Sequence, residues 1–575
     1  MSHLDVTPSE PGREPLGQPD PFRDVRSAID RHGEELAQYP GVISIRPGYR
    51  FRDGEITDEP AIIVSVLRKQ PEDALDPAAH VPPRVGGVVV DVVPAGVDEQ
   101  LRAARASGAA DTPSGAAAAV ERLAAGTAVV DTRTLLEAES GDGLGIARFA
   151  PGADYPEPPR ALQEVDEDMT LVLHASPDAG WRLLREFLTA TRRRLTATMY
   201  EFTAPYILDA LVDALPAPRT CRLVMDYEED PNAEVDNPRV VRRLRNTLRD
   251  RLDFAWAPVV SDRVTTVGYF PTSYHIKVAV RDGRVVWLSS GNWKPSGQPE
   301  VDPLDPPADF RPRTFQRAHN REWHVIADSP GLAEQFEYFI RYDLDRATAV
   351  QATGPQPQWM PPAPDVFIPD PALAPEPFAV ARFFREETLT KRMRVRPLLT
   401  PRHFVEHVLP LLEGAQHRVW FQNQSLSPKA DDAEFTRLFN ALRDKSRDNG
   451  VDTRIIVRGD FKAGEIMQKL KQARFRTSRV RLQNGCHTKG LIIDDTAVVV
   501  GSHNWTGQGT RQNRDASLII YDPDAVAYYE RLFNYDWSNL ASSRAPARGA
   551  VAVLAPPGAP TPPGMRRVSH AEFAE

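Results

Sequence analysis

The sequence predicts an α/β protein in which two related α-β-α repeats with mixed sheets pack around a pseudo-two-fold axis, preceded by a small N-terminal α/β domain. Two observations lead to this prediction. Apolar runs of strand length alternate with amphipathic runs of helix length between about residues 166 and 545, which is typical of strand–helix units. One polar motif also occurs twice with the same spacing, and self-similarity on the scale of a domain indicates a duplicated fold.

The composition narrows the class of protein. The chain has 575 residues, enough for several domains, and a net charge of −9, which disfavours a dedicated nucleic-acid binder without excluding one. Two cysteines cannot form a disulfide framework, so we expect a reducing compartment. The N-terminus has no basic segment followed by an apolar run, and no stretch of about 18 apolar residues occurs, which predicts a cytoplasmic protein without a transmembrane segment.

Changes in composition and pattern divide the chain. We expect a disordered N-terminus at 1–24, a small α/β domain at 25–97, a linker and connecting segment at 98–165, the first repeat at 166–350, a proline-rich linker at 351–377, the second repeat at 378–545 and a flexible tail at 546–575.

Hydrophobic periodicity predicts the elements of each segment. In the N-terminal domain they are a helix at 25–38 and strands at 42–45, 61–67 and 87–93. In the first repeat they are a strand at 170–173, a helix at 181–194, a strand at 195–200, a helix at 208–215, strands at 222–225, 273–280 and 323–327, and a helix ending at Tyr342-Asp343. In the second repeat they are a helix at 403–412, a strand at 418–422, a helix at 435–445, strands at 453–457 and 516–521, and a helix ending at Tyr535-Asp536.

The second copy of the polar motif runs from His487 to Asn504. His487 and Lys489 would share one face of a strand, and Asp494-Asp495 would form the turn to the next strand. With these two aspartates at the centre of the turn, the register places Ser502 opposite His487.

The first copy has the same residue types at the same offsets. His to Lys is two residues, His to Asp seven and His to Asn seventeen in both copies. An Asp282-Gly283 turn would again set the serine opposite the histidine. The residues of this copy are His275, Lys277, Asp282, Ser290 and Asn292.

The pattern His-x-Lys-x4-Asp followed by Gly-Ser-x-Asn resembles the HKD motif of the phospholipase D superfamily, and two copies in one chain resemble its two-repeat members. The second copy matches fully, whereas the first has Ser289 where the family usually has glycine. The resemblance covers roughly residues 166 to 545.

These residue types suit phosphodiester cleavage. One neutral imidazole can attack phosphorus to give a phosphohistidine, and a second, protonated imidazole can supply the leaving group's proton and later activate water. His275 and His487 would face each other across one phosphate, and no metal or cofactor is needed. The resemblance implies that the first histidine is the usual nucleophile, whereas the residues alone leave the choice open. Lys277, Lys489, Asn292 and Asn504 would clamp the phosphate, with Ser290 and Ser502 as further donors.

Carboxylates complete the predicted site. The resemblance suggests that an acidic residue after each motif orients an imidazole, and Glu322 and Asp515 stand at that place. Asp282 and Asp494, the aspartates of the motifs themselves, lie on the predicted turns, and we assign them a structural role. No carboxylate or thiol cluster at ligand spacing accompanies the histidines, which disfavours a metal site.

The repeats differ in length after the motif. The first repeat has 28 residues from Asn292 to Asn320, where the second uses 9, and the extra segment falls around 295–313. An insertion directly after a catalytic loop is expected to overhang the cleft, so we predict a lid or substrate-selecting loop.

The substrate is the least constrained inference. We favour a phospholipase D-type hydrolase acting on phosphatidylcholine-like headgroups, working as a monomer because both half-sites lie in one chain. A nuclease is the first alternative, because two basic runs precede the motifs and could flank a polyanion. A non-catalytic phosphate-binding scaffold is the second, and the intact motifs argue against it. The basic runs are Arg239, Arg242, Arg243, Arg245, Arg249 and Arg251, and Lys469, Lys471, Arg474, Arg476, Arg479 and Arg481.

Overall fold

A computed structural model gives the fold. It describes residues 20–67, 69, 76, 79–106, 155–156, 158–229, 233–259, 269–270, 272–353, 365–373, 381–427, 432–460, 463–545, 553–556 and 558–568. Most of the predicted N-terminal disorder at 1–24, the greater part of the 98–165 segment and much of the predicted linker and tail lie outside these residues.

The N-terminal domain is a helix packed on a four-stranded sheet. The strand order is β1-β2-β4-β3, in which β2 and β4 are parallel and the other pairs antiparallel. Val25, Ala28, Ile29 and Leu36 recur on one face of the helix and are buried against the sheet. The elements are α1 (Arg23–Leu36), β1 (Val42–Arg52), β2 (Glu55–Val66), β3 (Arg84–Val85), β4 (Val88–Pro94) and α2 (Val97–Ala106).

The first repeat alternates strands and helices as the sequence predicts. Its elements are β5 (Val165–Ser176), α3 (Gly180–Thr189), β6 (Arg194–Met199), α4 (Pro205–Asp213), β7 (Thr220–Met225), α5 (Asn237–Leu248), β8 (Leu252–Trp256), β9 (Val278–Arg281), β10 (Val285–Ser289), α6 (Pro312–Ala318), β11 (Glu322–Asp328) and α7 (Pro330–Thr353), with a 3₁₀ turn at Arg249–Arg251.

The second repeat has the same order. Its helices begin at strong caps: Asp432 accepts hydrogen bonds from the first-turn amides of one helix, and Asp522 does so before Pro523 in another. The elements are β13 (Glu387–Leu399), α8 (His403–Gly414), β14 (Arg418–Asn423), α9 (Ala433–Arg447), β15 (Asp452–Arg458), α10 (Ala463–Gln472), β16 (Val480–Gln483), β17 (Lys489–Ile493), β18 (Ala497–Gly501), α11 (Gly507–Arg511), β19 (Ala516–Tyr521), α12 (Pro523–Tyr535) and β20 (Ala541–Ser542), with a 3₁₀ turn at Thr477–Arg479 and a π-helical turn at Asp536–Leu540.

The predicted α/β fold with mixed parallel and antiparallel pairing is confirmed, and the two repeats share one continuous sheet of fifteen strands. Counted outward from the centre, the first repeat reads β5-β11-β10-β9-β6-β7-β8 and the second β13-β19-β18-β17-β14-β15-β16. The orders match strand for strand, so the pseudo-two-fold axis passes between β5 and β13. These two strands pair antiparallel from Glu387↔Leu173 to Val395↔Val165. Strands β6-β7-β8 and β14-β15-β16 pair in parallel, and the other pairs are antiparallel. The fifteenth strand, β20, pairs antiparallel with β16 at the outer edge of the second repeat.

Helices cover both faces of the sheet. On one face α7 and α12 bury a single core that spans both repeats, with Phe336 and Tyr529 among its largest side chains. On the opposite face each repeat keeps a separate core. The shared core and the shared sheet hold the two motifs in a fixed relation.

The predicted linker at 351–377 and tail at 546–575 contain ordered strands, so the prediction of unstructured segments is wrong for the residues described there. Strand β12 (Asp365–Pro369) lies between β21 (Val553–Ala555) and β22 (Met565–Val568), and a 3₁₀ turn follows at Pro371–Leu373. Asp365 accepts hydrogen bonds from Arg567 Nε at 2.5 Å and from the Gly558 amide at 2.8 Å. Sequence patterns do not reveal this sheet because its strands are short and far apart in the chain.

Among the residues with described structure, no helix combines the length and the apolar character required to cross a bilayer.

Candidate active site

Three-residue loops close both motif hairpins, which corrects the predicted register by one residue. Arg281 pairs with Val285 and Ile493 with Ala497, so Asp282–Arg284 and Asp494–Thr496 form the loops. The first residue of each loop is an aspartate with a left-handed backbone, with φ of 56° at Asp282 and 48° at Asp494.

The motif aspartates hold neighbouring backbone in place. Asp282 accepts hydrogen bonds from the amides of 192–194 at 2.7–3.0 Å, and Asp494 accepts from those of 416–418 at 2.7–3.1 Å. Partial burial raises the pKa of each carboxyl, but these amides outweigh it and leave both pKa values below the usual range. Both residues therefore act on the loop, away from the histidines.

The histidines lie just outside the hairpin strands, so the predicted strand at 273–280 is shorter, beginning at Val278. The opposite repeat holds each histidine segment instead. The His487 amide donates to the Arg321 carbonyl at 3.0 Å, and the Arg514 amide donates to the Ser273 carbonyl at 3.0 Å. The backbone of each histidine segment is therefore hydrogen-bonded to the segment of the opposite repeat that carries that repeat's acidic residue.

His275 is paired with Asp515 of the second repeat. Its Nδ1 lies 2.7 Å from Asp515 Oδ1, and both side chains are buried. Because an ionised carboxylate only accepts, Nδ1 carries the proton and Nε2 is the nitrogen left for chemistry. Burial raises the pKa of Asp515, but the His275 ring outweighs it and keeps that pKa below the usual range.

His487 is paired with Glu322 of the first repeat. Its Nδ1 lies 3.2 Å from Glu322 Oε1, and both residues are buried. Lys489 Nζ lies 3.3 Å from both ring nitrogens of His487, and it donates to Gln424 Oε1 at 2.8 Å and to the Ser290 carbonyl at 3.2 Å. The second half-site is thus built from both repeats.

The two serines hydrogen-bond to the segments that carry the acidic residues, and their role as phosphate donors stays a prediction. Ser502 Oγ donates to Asp515 Oδ1 at 2.5 Å and accepts from the Ala516 amide at 3.1 Å. Ser290 Oγ accepts from the Trp323 amide at 3.0 Å. Each serine directly follows a strand, β10 or β18. The neighbouring strand, β11 or β19, begins at the acidic residue or directly after it.

The lysines and asparagines are buried around the histidines. Lys277 Nζ donates to the His275 carbonyl at 2.6 Å and lies 5.0 Å from the centre of the Tyr200 ring. Asn292 and Asn504 are buried in the loops that follow β10 and β18, and no described residue donates to Asn504 Oδ1.

The family model described as "Cardiolipin synthase, PLD-like domain" matches residues 184–343 and 408–537, just over half of the chain. The chain belongs to the phospholipase D superfamily. The two matched segments are the two repeats that carry the crossed pairs.

Individual relatives of this superfamily are distant. The chain is 33% identical over 90 residues to the mitochondrial cardiolipin hydrolase of Xenopus tropicalis, covering 15% of this chain and 43% of that protein. It is 28% identical over 149 residues to the mitochondrial cardiolipin hydrolase of Xenopus laevis, covering 25% of this chain and 70% of that protein. The phosphatidylserine synthase structure from Haemophilus influenzae Rd KW20 aligns with a TM-score of 0.42 at 13% identity, covering 65% of this chain and 87% of that one.

Sequence reasoning missed a second set of contacts between the superfamily repeats. Arg321 Nε binds Asp536 at 3.0 Å, and Arg514 Nε binds Asp343 at 2.9 Å, all four being buried. Each arginine directly precedes an acidic site residue. Asp536 directly follows α12, whereas Asp343 lies in the middle of α7, which continues to Thr353 beyond the helix end predicted at Tyr342-Asp343. The equal 21-residue spacing of Glu322–Asp343 and Asp515–Asp536 was the available signal.

Ser289 stands where the HKD motif usually has glycine. In the first repeat the motif supplies the serine of a buried serine–histidine hydrogen bond, and in the second repeat it supplies the histidine. Ser289 Oγ lies 2.7 Å from His324 Nδ1, and in the second repeat Ser517 Oγ lies 2.7 Å from His503 Nδ1. A Cβ at Gly501 would come within 2.0 Å of Ser517 Oγ, so glycine is required there, whereas the serine in the first repeat is itself the hydrogen-bonding group. Burial lowers the pKa of His503 to about 3 and that of His324 well below the usual range, so both rings stay neutral.

Other candidate residues take structural positions. Trp293 and Trp505, which directly follow the motif asparagines, are buried in the separate cores. Cys486 directly precedes His487 and is buried, and burial raises the pKa of its thiol to about 12, which disfavours a nucleophilic role.

The basic runs do not form one open surface. Helix α10 of the second run packs on the N-terminal domain: Gln468 Oε1 accepts from the Tyr49 amide at 2.9 Å, and Lys471 binds Asp58 at 2.6 Å. In the first run Arg243 binds Asp209 at 2.5 Å, and Arg251 donates to backbone carbonyls. The geometry therefore gives the nuclease alternative no added support.

Proposed function

We propose that this chain is a phosphodiesterase that hydrolyses the headgroup phosphodiester of a phospholipid through a phosphohistidine. The observation that carries the proposal is the pair of crossed histidine–carboxylate contacts, each beside a buried lysine. Two imidazoles, each with one nitrogen held by a carboxylate, are what a two-step displacement at phosphorus needs.

In the proposed first step His275 Nε2 attacks phosphorus while the bond from phosphorus to the leaving oxygen breaks. Asp515 holds the proton on Nδ1 and stabilises the charge that develops on the ring. His487, protonated and held by Glu322, gives its proton to the leaving oxygen. The 2.7 Å hydrogen bond of His275 favours this residue as the nucleophile, because it fixes the tautomer more firmly than the 3.2 Å contact of His487 does.

In the second step neutral His487 takes a proton from water, the water oxygen bonds to phosphorus, and the bond from phosphorus to Nε2 breaks. Lys277 and Lys489 offset the negative charge of the phosphoryl oxygens in both steps, and the amides of Asn292 and Asn504 orient them. The enzyme then returns to its starting protonation state.

The choice of a lipid rests on the family and on the names of the similar proteins, which refer to cardiolipin. Phosphatidylcholine, the type of substrate expected from the sequence, is the second lipid to test. We propose a location in the cytoplasm on the sequence features alone, and a monomer because each half-site contains residues from both repeats of one chain.

The test is a parallel assay of the full chain on cardiolipin vesicles, phosphatidylcholine vesicles, and single- and double-stranded DNA, all in EDTA. We expect headgroup release from at least one lipid, lost in both His275→Asn and His487→Asn. DNA cleavage without lipid turnover would overturn the proposal in favour of a nuclease. Binding of lipid without turnover of any substrate would favour the scaffold.

A further inference from the structure

Gln298 lies in the insertion that only the first repeat contains, and it reaches the acidic partner of His487. Its Nε2 donates to Glu322 Oε2 at 3.4 Å, and Gln298 is fully buried. The other carboxylate oxygen, Oε1, is the one beside His487. One carboxylate oxygen of Glu322 therefore contacts the insertion, and the other contacts the histidine.

The turn that carries Gln298 is firmly anchored. Lys294 Nζ binds Glu201 Oε2 at 2.9 Å in a buried ion pair, and the Gln298 amide donates to the Lys294 carbonyl at 2.9 Å. The Tyr206 hydroxyl donates to the Gln298 carbonyl. A Cβ at Gly180 would lie 2.6 Å from Gln298 Oε1, so helix α3 closes the other side of the amide.

The carboxylate itself is enclosed by glycines. A Cβ would meet carboxyl atoms of Glu322 at 1.8 Å if added to Gly291 and at 2.3 Å if added to Gly297. Gly297 directly precedes Gln298, so the same turn supplies both the close packing and the amide donor. His324 Nε2 lies 3.9 Å from Glu322 Oε2, but its ring is neutral and already bonded to Ser176 Oγ at 2.8 Å.

The carboxylate of the other half-site, Asp515 beside His275, is held without an insertion. Asp515 has one fewer side-chain torsion than a glutamate, and it receives Ser502 Oγ at 2.5 Å from its own repeat. At the offset of Gln298 the second repeat has Thr510, whose hydroxyl donates to the Thr506 carbonyl of its own helix. Glu322 has the extra torsion. Among the described contacts Ser290 Oγ accepts from the Trp323 amide and does not donate to Glu322, unlike Ser502 at Asp515.

We propose that Gln298 is a positioning residue that fixes the carboxylate of Glu322 and, through it, the ring of His487. The half-site that transfers the proton therefore depends on the insertion, which the second repeat lacks. This inference rests on the proposed function. Outer partners of catalytic groups fix ring orientation and the basicity of the group they hold. Gln298 does not touch the substrate in this scheme.

The test uses Gln298→Met, which keeps the volume but removes the donor, and Gln298→Ala, with Thr510→Ala as the matched control in the second repeat. With the lipid that wild type hydrolyses, we expect kcat to fall about 10-fold in both Gln298 variants, with KM within about 2-fold. The high-pH limb of the kcat profile, set by loss of the His487 proton, should move to lower pH because the looser carboxylate stabilises the imidazolium less. Thr510→Ala should leave the profile unchanged.

The outcomes separate the two proposals. An inactive wild type contradicts the proposed function, whereas an active wild type with unchanged kcat and pH profile in Gln298→Met contradicts only the positioning role. A loss in Gln298→Ala that Gln298→Met restores would show that volume matters rather than the amide, and would also overturn it. Thermal unfolding of each variant identifies a loss caused by misfolding, and Gln298→Leu, a second uncharged replacement without a donor, then decides: native stability with a lowered kcat supports the role, and native stability with wild-type kcat overturns it.

Discussion

Asp515 follows the second motif in sequence, yet its Oδ1 lies 2.7 Å from Nδ1 of His275 in the first motif. The reciprocal contact joins His487 to Glu322, which follows the first motif. Neither repeat therefore holds a complete histidine–carboxylate pair of its own. This crossing predicts that separated repeats are inactive and that damage to one repeat disables the histidine of the other.

Replacing the acidic partner of the proposed nucleophile should impair the first chemical step. We expect Asp515→Asn to lower kcat by about 10²–10³-fold, because an amide can hold the ring in the wrong tautomer. Glu322→Gln should cost less, since its contact with His487 is longer. Steady-state kinetics on the active lipid check this, with Asp495→Asn, an exposed loop aspartate, as the control. Equal activity of Asp515→Asn and wild type would contradict the crossed assignment.

The covalent intermediate should form on a single histidine. In His487→Asn we expect the phosphoryl group of the substrate to remain on His275 when the reaction is quenched without acid. Water then lacks the base that it needs to hydrolyse the phosphohistidine. Mass spectrometry of peptides covering both motifs measures the adduct. An adduct on residue 487 of His275→Asn, with none in His487→Asn, would reverse the two roles.

Acid should destabilise the fold through its buried neutral histidines. Burial lowers the pKa of His174 and His503 to about 3, so between the ordinary value and about 3 the unfolded state binds protons that the folded state does not. Stability is thus present above about pH 6.5 and is lost as pH falls, by about 1.4 kcal/mol per pH unit for each histidine. Urea unfolding between pH 7 and 5 measures the slope, which should be shallower in His503→Gln. An identical slope in that variant would contradict the assignment.

The buried arginine–aspartate pairs should carry much of the contact between the repeats. Asp343→Asn leaves Arg514 with an uncompensated buried charge, and we expect about 3–5 kcal/mol of destabilisation. The exposed pair of Arg392 and Asp166 provides the control, because Arg392→Ala should cost less than about 1 kcal/mol. Urea denaturation compares the two variants, and equal small losses would show that the sheet and core alone hold the repeats together.

Much of the candidate site could be predicted because its chemistry is encoded in residue types at fixed local spacing. The histidine, lysine and asparagine of each motif, and the acidic residue that follows, all lie in the buried region that the fold creates. The duplicated fold was predictable for the same reason, since strand and helix periods repeat in the same order. Predictions that needed one residue of precision failed at the hairpin loops, because the same turn residues fit loops of two or of three residues and the strand pairing decides between them.

The sequence by itself determined which groups are present and that they come in two matched sets. Only the tertiary structure decided which carboxylate serves which histidine, because His275 and Asp515 are 240 residues apart and meet through a sheet that joins β5 to β13. It also decided that Ser502 donates to Asp515 and that Gln298 reaches Glu322. Local spacing fixes which side chains a short segment carries, whereas contacts between segments depend on how the two repeats pack, and that is set by the whole core at once.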